Sequence, residues 1–449
     1  MNQAEPATSP AAPSSTAPGW RSAPSAAAAA SAGVILLTVG LLLSRPDVAL
    51  LGVPLVLAPT LGRTARPTEP TTADLEAPAT TTAPGEAAAS LLLRPAPGTD
   101  VVRARVTAPG HRPADLLITG RAETQVPLHL SSVRTGPWPT FRADLIAHGT
   151  HGASSQTPTT HHAPDTLVLP QAEPLGRVPL SPRLRGLTGP RTSRRTGDGS
   201  ELRDIHPITP GDPARRIDWR ATARRSPHLD ELYVRRTHAG AEATAVLVVD
   251  SRDDVGPDLH TWRGTEPQRV DEPTSLDLAR HAAASVATAL VETGTRVGLE
   301  DLGRRSRPLA PATGHRHLRR LTHALALAAP TGTPARRLRP PQLPADAIVY
   351  LFTTLLDDEP VRLADAWTEH GTPVVVIDTL PHVRPVPENH LRTAWQITAM
   401  ERTDRVRALE ARAVPVLPWA GHDRAEARRR LEALVRRSQQ HRPSTGVAR

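Results

Sequence analysis

Two uncharged, mostly apolar stretches lie close together near the N-terminus. Residues 26–43 carry no charge, and a second uncharged, mostly apolar stretch covers 48–61. A helix needs about 20 residues to cross a bilayer, so this pattern predicts a hairpin of two short transmembrane helices within 26–62. A signal peptide with an apolar flank, or a buried hairpin of a soluble protein, is the alternative. Between the two stretches only Arg45 and Asp47 are charged, and so few charges favour the membrane hairpin.

The hairpin is flanked by segments of different composition. Residues 1–25 are rich in Pro, Ala, Ser and Thr and predict a disordered tail, and 63–89 read as a Pro- and Thr-rich linker. Over 90–175 the pattern changes to short apolar or alternating runs separated by turn residues. Such runs are typical of antiparallel strands, so we expect a small β-sandwich-like domain here.

Continuous apolar runs alternate with helical patterns over 241–440. The run Ala245-Val-Leu-Val-Val249 ends in Asp250, and Leu276 begins a helical stretch that Gly294 closes. Strands buried on both faces read in this way, and their alternation with helices predicts a doubly wound α/β sheet. The predicted strands lie at 245–249, 296–302, 347–352, 373–377 and 414–417, and residues 441–449 form a tail.

Charge and composition exclude several function classes. The 54 basic residues are all arginine and outnumber the 45 acidic ones, but the chain has only seven Trp, two Tyr and two Phe. Single-strand binders combine basic grooves with stacking aromatics, so we expect no nucleic acid as partner. The arginine-rich stretches at 181–240 and 421–449 suit anionic lipid or an acidic protein surface. Without cysteine, there are no disulfides, thiolate metal sites or cysteine nucleophiles.

The segment 176–240 is an arginine-rich block with the most specific residue pattern. Pro210-Gly-Asp-Pro213 predicts a turn, and Ile217 and Trp219 read as apolar anchors among charged neighbours. Alternating carboxylates and guanidiniums can form a partner-binding surface, or an ion network that is satisfied internally. The candidate partner-binding residues are Glu201, Arg203, Gly211, Asp212, Arg216, Asp218, Trp219 and Arg224.

Five short motifs in this block resemble the family catalogued as "domain of unknown function 58". They are Glu201-x-Arg203, Pro210-Gly-Asp212, Arg216-Ile-Asp-Trp219, Thr222-Ala-Arg224 and Leu232-Tyr-Val-Arg235. His206 stands where the family commonly has Tyr. The resemblance implies two membrane helices, a β-rich region, the motif block and a von Willebrand factor A-like domain, in that order. It also implies a MoxR-type AAA+ ATPase as partner, in the assembly or activation of membrane or envelope complexes.

A von Willebrand A-like domain implies a possible Mg²⁺ site after the first strand of its sheet. That site uses Asp-x-Ser-x-Ser with a Thr and an Asp from later loops, whereas this chain reads Asp250-Ser-Arg-Asp-Asp254. Asp250 is therefore the metal candidate, but Arg252 and Asp254 replace the two serines. An arginine places positive charge where the ion would lie, and it can pair with Asp250 instead. We expect the loop to keep its shape without an ion, and no cofactor.

These observations favour a non-enzymatic, membrane-anchored scaffold that recognises its partner at the strand-end face and along the motif block. Arg21, Arg63 and Arg66 lie outside the hairpin and only Arg45 lies in its loop, so both termini are expected in the cytoplasm of a two-pass cell-membrane protein. Two alternatives stay open. One is a divalent-metal-dependent hydrolase that uses Asp250 with the two acids after Arg252, and the other is a basic lipid- or nucleic-acid-binding protein. No Walker A, Gly-x-Ser-x-Gly or His-Glu-x-x-His motif is present.

Overall fold

The computed structural model describes residues 19–76, 83–181, 191–264, 266–304, 307–330, 340–344 and 346–440. For 191–201, 239–241, 263 and 438–440 it describes the backbone only. Most of the predicted tails and part of the predicted linker, at 1–18, 77–82 and 441–449, lie outside the described residues. The chain divides into two compact units. The first takes in Met1–Thr82, Ala87–Leu130 and Pro139–Thr166, and the second takes in Ala83–Glu86, Ser131–Trp138 and Leu167–Arg449.

A helical hairpin opens the first unit. Its helices are α1 (Pro24–Leu42) and α2 (Pro46–Thr64), joined by a turn at which Ser44 has a positive φ of 50°. Glycines allow the two backbones to approach: a Cβ on Gly52 would lie 2.5 Å from the carbonyl oxygen of Gly33, and one on Gly40 would overlap the backbone of Ala49. Both helices are long and apolar enough to cross a membrane.

Two sheets complete the first unit and enclose one core. One sheet has the order β1-β9-β8-β4-β5 with β10 also on β8, and the other has the order β2-β3-β6. Their shared core includes Leu91, Leu93, Val102, Ala104 and Leu145, as the alternating runs predict. In chain order the strands of these two sheets are β1 (Trp20–Ser22), β2 (Thr72–Glu76), β3 (Glu86–Arg94), β4 (Thr99–Thr107), β5 (Ala114–Thr119), β6 (Thr124–Ser131), β8 (Arg142–Gly149), β9 (Ser154–Gln156) and β10 (Thr159–His162). Two short strands, β7 (Gly136–Trp138) and β11 (Thr166–Val168), pair with each other in a separate two-stranded sheet, and β7 belongs to the second unit.

Two of these strands differ from the sequence-based expectation. Residues 20–22, predicted to be tail, form β1 and pair antiparallel with β9. Trp20 explains the difference, because its ring is buried and its indole Nε1 donates to the carbonyl of Glu69 at 2.7 Å. Residues 72–76, predicted to be linker, form β2, which pairs antiparallel with β3. Ala73 and Leu75 are buried on one side of this strand, and such alternation is the strand signal that the surrounding Pro and Thr obscured.

The second unit is built on a six-stranded mixed sheet with the order β16-β15-β14-β17-β18-β19. The pairs from β15 to β19 are parallel, and β16 is an antiparallel edge strand. Its elements, in chain order, are β12 (Arg191–Pro207), α3 (Trp219–Arg225), β13 (Tyr233–Ala241), β14 (Thr244–Val249), α4 (Ser275–Glu292), β15 (Arg296–Asp301), β16 (Leu309–Ala312), α5 (His315–Ala326), β17 (Ile348–Thr353), α6 (Glu359–Glu369), β18 (Val374–Asp378), α7 (Asn389–Ala411), β19 (Val416–Pro418) and α8 (Asp423–Gln440).

Helices cover both faces of this sheet, as the alternation of strands and helices predicts. On one face, α4, α5 and α8 share a core with strand residues that includes Leu290, Leu325 and Leu431. On the other face, α6 and α7 contribute Trp367 and Leu409 to a second core. All five parallel strands therefore present their carboxyl ends at the same edge of the sheet, where α/β proteins place their ligands.

The motif block forms an antiparallel hairpin of β12 and β13, with α3 between the two strands. The pairing has three register shifts, at residues 192–196, 197–202 and 202–204 of β12. After Ala241 the chain enters the sheet at the amino end of β14, at Thr244. The motif block is thus attached at the end of β14 opposite to Asp250.

Candidate functional site

Arg252 lies at the carboxyl edge of the sheet and joins two carboxylates. Its Nε and Nη2 each donate to one oxygen of Asp250 at 2.8 Å, and its Nη1 and Nη2 donate to Asp357 at 2.7 and 3.0 Å. Thr353, at the end of β17, donates its hydroxyl to Asp250 at 2.9 Å. The side chains of Arg252 and Asp250 are only 9% and 7% exposed. Two bidentate pairs of this geometry hold the loop after β14 in one shape.

The charge of Arg252 is stabilised by these partners. Burial alone would lower the pKa of Arg252, but the hydrogen bonds and negative charges of Asp250 and Asp357 outweigh it and raise the pKa. The guanidinium is therefore cationic at every physiological pH. It supplies at Asp250 the positive charge that a divalent cation would otherwise provide.

The other acids of the predicted metal loop serve different contacts. Asp254 accepts the backbone N–H of Leu276 at 3.3 Å and lies 3.9 Å from Arg134, and burial raises its pKa. Asp253 is exposed. Among the described residues, no group of three or more His, Asp or Glu side chains is placed to hold a metal ion. The donors present at Asp250 do not fit a Mg²⁺ site, because a guanidinium already engages both carboxylate oxygens.

Two further arginines tie α7 to the same edge. Arg402 pairs with Asp378, and its Nε donates to the carbonyl of Thr354 at 3.0 Å. Arg405 donates to Asp358 at 2.6 Å and to the carbonyl of Leu356 at 3.1 Å. The sequence flagged neither arginine, because each meets its partner only through the fold. The adjacent acids Asp357 and Asp358 were the only sequence signal for such pairs, because carboxylates in a loop at the sheet edge are stabilised by basic counter-ions.

In the motif block, Asp212 organises a tight turn. Its carboxylate accepts the N–H and hydroxyl of Thr209 at 2.9 and 2.8 Å, and Arg236 on β13 donates to it at 3.0 Å. Gly211 has a φ of 100°, a conformation that disfavours other residues. The hydrogen bonds from Arg236 and Thr209 hold the pKa of Asp212 well below its usual range. Asp212 and Gly211 therefore shape the loop.

Asp218 fixes the start of α3 against β13. Its carboxylate accepts the N–H of Ala221 at 2.9 Å as an N-cap, and its own N–H donates to the carbonyl of Tyr233 at 2.8 Å. Thr222 is fully buried, and its hydroxyl accepts the N–H of Tyr233 at 3.0 Å. These three contacts give α3 one position on the hairpin.

Trp219 does not anchor the block, contrary to the sequence interpretation. Ile217 is half-buried beside Val234, but 63% of Trp219 is exposed. An N1 position on a seven-residue helix explains this, because Asp218 turns the chain so that the next side chain projects outward. Leu202, Ile208 and Leu229 are also large, apolar and exposed, so the hairpin displays hydrophobic side chains rather than burying them.

The remaining candidate residues are dispersed over the hairpin. Arg203 is exposed and lies 3.6 Å from Asp204, Arg216 is half-buried with a partner, and Arg224 is exposed at the end of α3. The side chain of Glu201 lies outside the described part of the chain. Gly211, Asp212 and Asp218 therefore stabilise the loops of the motif block. Trp219 is the candidate residue with a large apolar side chain exposed to solvent.

A cavity of about 510 Å³ lies beyond the carboxyl end of β19. The indole Nε1 of Trp419 donates to Nδ1 of His281 at 3.1 Å, and burial together with the charge of Arg424 lowers the pKa of His281 to about 4. His281 is therefore neutral at pH 7. The polar residues that line the cavity are Gln171, Glu173, His281, His422 and Arg424. None of them is a Ser, Thr or Cys that a neighbouring base could activate as a nucleophile.

The family comparison agrees with the motif block. Residues 204–408 match the model of the family described as "Protein of unknown function DUF58", which confirms the resemblance. Four of the five motifs lie inside the matched residues, and Glu201-x-Arg203 lies just before them. The matched segment runs from β12 through the sheet into α7. No curated protein and no solved structure matches the chain.

Proposed function

Because residues 204–408 match the DUF58 family model, we propose that this protein is a membrane-anchored scaffold without catalytic activity of its own. The helical hairpin inserts into the cell membrane, and the motif block captures a protein partner. By family resemblance, that partner is an AAA+ ATPase of the MoxR type, acting on membrane or envelope complexes. The α/β domain is of the von Willebrand A-like kind, which its antiparallel edge strand and central first strand support.

The surface of the hairpin supports membrane insertion. Only 17% of each apolar window is buried, although a core helix of a soluble protein is mostly buried. The exposed side chains are large and apolar, including Ile35, Leu41, Leu50 and Leu61. Arg45 in the loop lies 3.2 Å from Asp47, whereas basic residues flank both outer ends, which supports a cytoplasmic location of both termini.

Trp219 is the observation on which the scaffold proposal depends. A large aromatic side chain that is 63% exposed, on a helix whose position is fixed by Asp218 and Thr222, is ready to enter a pocket of a partner. Such rigid aromatic anchors dominate the binding energy of many interfaces. An exposed tryptophan contributes nothing comparable to the folded state of the free protein.

The enzyme alternative lacks a comparable feature. A metal-dependent hydrolase needs an ion with open coordination positions, and Arg252 already neutralises Asp250 and Asp357. We propose that the edge carries no Mg²⁺ in the working protein and that its arginine pairs keep the loops in place.

Replacing Trp219 by Ala tests the proposal. We expect capture of the AAA+ partner by the detergent-solubilised full chain to weaken on the order of 30-fold or more, the loss typical of a binding hot spot. The thermal midpoint should stay unchanged, because the side chain is exposed. Met400→Ala is the matched control, since Met400 on α7 is 69% exposed and lies outside the motif block. Equal capture by Trp219→Ala and the unchanged protein would contradict the proposal.

A further inference from the structure

One segment of the α/β domain carries arginine without any acidic residue. Residues 302–345 contain nine arginines and not one Asp or Glu. The segment therefore has a formal charge of +9 with His neutral, and it includes β16 and α5.

The helix α5 separates its apolar and basic residues cleanly. Leu321 and Leu325 are fully buried in the core beneath the helix, and His317 contacts the carbonyl of Val297 at 2.7 Å. Arg316, Arg319 and Arg320 are exposed on the other side. We call these three arginines the α5 face. Because the apolar side of α5 is buried in the core of the domain, the exposed side that a partner could contact is the basic one.

The arginines of the α5 face have no carboxylate partner among the described residues. The helix itself contains no acid, and the neighbouring Arg296 lies 3.2 Å from Glu242, so that pair contributes little net charge. Helix stability does not explain the pattern, because a cation at position 316, in the first turn, opposes the helix dipole. A concentrated charge that neither the core nor the helix requires points to an external anion.

We infer that the α5 face binds the anionic headgroups of the membrane in which the hairpin is inserted, an inference that rests on the anchoring part of the proposed function. Anionic leaflets attract clusters of arginine without needing a pocket, and the α5 face is a helix surface without one. Segment 302–345 contains no Phe, Trp or Tyr, so it lacks the stacking groups by which single-stranded nucleic acid is held. Binding of the headgroups holds the α/β domain against the bilayer.

Energy transfer between the α5 edge and the lipid surface tests this inference. The chain contains no cysteine, so Ala310→Cys, at the exposed position of β16, introduces a unique site for a donor dye. The full chain is reconstituted into vesicles whose headgroups carry an acceptor. We expect strong transfer in phosphatidylserine-containing vesicles, weaker transfer in neutral phosphatidylcholine, and loss of the difference at high salt because the attraction is screened.

Charge variants connect the transfer to the three arginines. Arg316→Gln, Arg319→Gln and Arg320→Gln together should lower the docking equilibrium on the order of 100-fold, since each arginine near an anionic surface contributes about fivefold. The matched control replaces Arg392, Arg407 and Arg412 by Gln. These exposed arginines lie on or directly after α7, which packs on the opposite face of the sheet, and their loss should leave the transfer unchanged.

Three results would overturn the inference. They are equal transfer in neutral and anionic vesicles, an equal loss in both triple variants, and displacement of the α5 face from anionic vesicles by an oligonucleotide or acidic peptide at low concentration. An alkaline wash of the same vesicles separates this failure from that of membrane anchoring. Protein that washes off contradicts the proposed function, whereas protein that stays inserted without lipid-dependent transfer contradicts only the role of the α5 face.

Discussion

At the scale of single residues, Arg252 decides what the carboxyl edge of the sheet can bind. Its position inside an Asp-x-Ser-x-Ser-like loop predicted a pair with Asp250, and the structure shows that pair at 2.8 Å. Its second partner, Asp357, was not predictable from spacing, because 105 residues separate the two in the chain. Arg252 is thus a fixed counter-ion of both carboxylates.

Replacing Arg252 by Ser should create Mg²⁺ dependence. The variant leaves the oxygens of Asp250, Asp357 and Thr353 beside a new hydroxyl, which are the hard ligands that Mg²⁺ prefers. With Mg²⁺ at about ten times its dissociation constant, the free energy of unfolding should rise by about 1.4 kcal/mol, a shift of a few degrees in thermal midpoint. Calorimetry of the full chain with and without Mg²⁺ measures it.

The unchanged protein should show no Mg²⁺-dependent shift. Arg405→Ser is the matched control, because it breaks a neighbouring arginine pair, with Asp358, without changing the donors around Asp250. A rise in thermal midpoint of the unchanged protein with Mg²⁺ would contradict the assignment of Arg252 as the resident cation.

At the scale of elements, α4 shows what local pattern can and cannot predict. Its periodicity placed the helix from Leu276 to Glu292, one residue short of the observed start. The pattern did not reveal that the segment around Arg134 and Thr135 closes over its first turn. Asp277 accepts the N–H and hydroxyl of Thr135 at 2.8 and 2.7 Å and pairs with Arg134 at 2.7 Å, contacts made across 142 residues.

Replacing Asp277 by Ala should be strongly destabilising. Arg134 and Arg280 are only 8% and 6% exposed at their side chains. The change removes the paired carboxylate of both, leaves Arg134 with the more distant Asp254 at 3.9 Å, and removes the Asp277 half of the capping box of α4. A loss of about 3–5 kcal/mol in the free energy of unfolding is typical of breaking such a pair. Denaturant unfolding of the detergent-solubilised chain measures it.

Asp271→Asn is the control for this loss. Asp271 pairs with Arg269 at 2.9 Å, but both side chains are about half exposed, so we expect a cost below about 1 kcal/mol. Similar costs for the two variants would show that the Asp277 network does not hold the segment around Arg134 to α4.

At the scale of the whole molecule, the alternation of patterns predicted the five parallel strands of the α/β sheet, but neither its antiparallel edge strand β16 nor what lies at each end of the sheet. Strand order and direction are set by packing between distant segments, which no local pattern encodes. The partner-binding surface expected from the sequence, which combined the strand-end face and the motif block, therefore consists of two separate parts. β13 leads into the amino end of β14, whereas Asp250 follows its carboxyl end, so the motif block and the strand-end face are separate surfaces.

The same limit applies to the motif block. Its turn at Pro210-Gly-Asp212 was predictable because proline, glycine and aspartate each favour a turn by their own backbone chemistry. The exposure of Trp219 was not, since an apolar residue among charges normally indicates burial. Residue type alone does not decide whether one side chain is buried, because that depends on how the folded chain directs it.

The central claim is that this membrane-anchored chain captures an ATPase, and one measurement tests it most directly. The full-length protein is purified from its own gently solubilised membranes with and without ATP and Mg²⁺, and the co-purifying proteins are identified by mass spectrometry. The account predicts recovery of an AAA+ ATPase of the MoxR type in an amount that changes with nucleotide. Recovery of lipid with no ATPase in either state would contradict it.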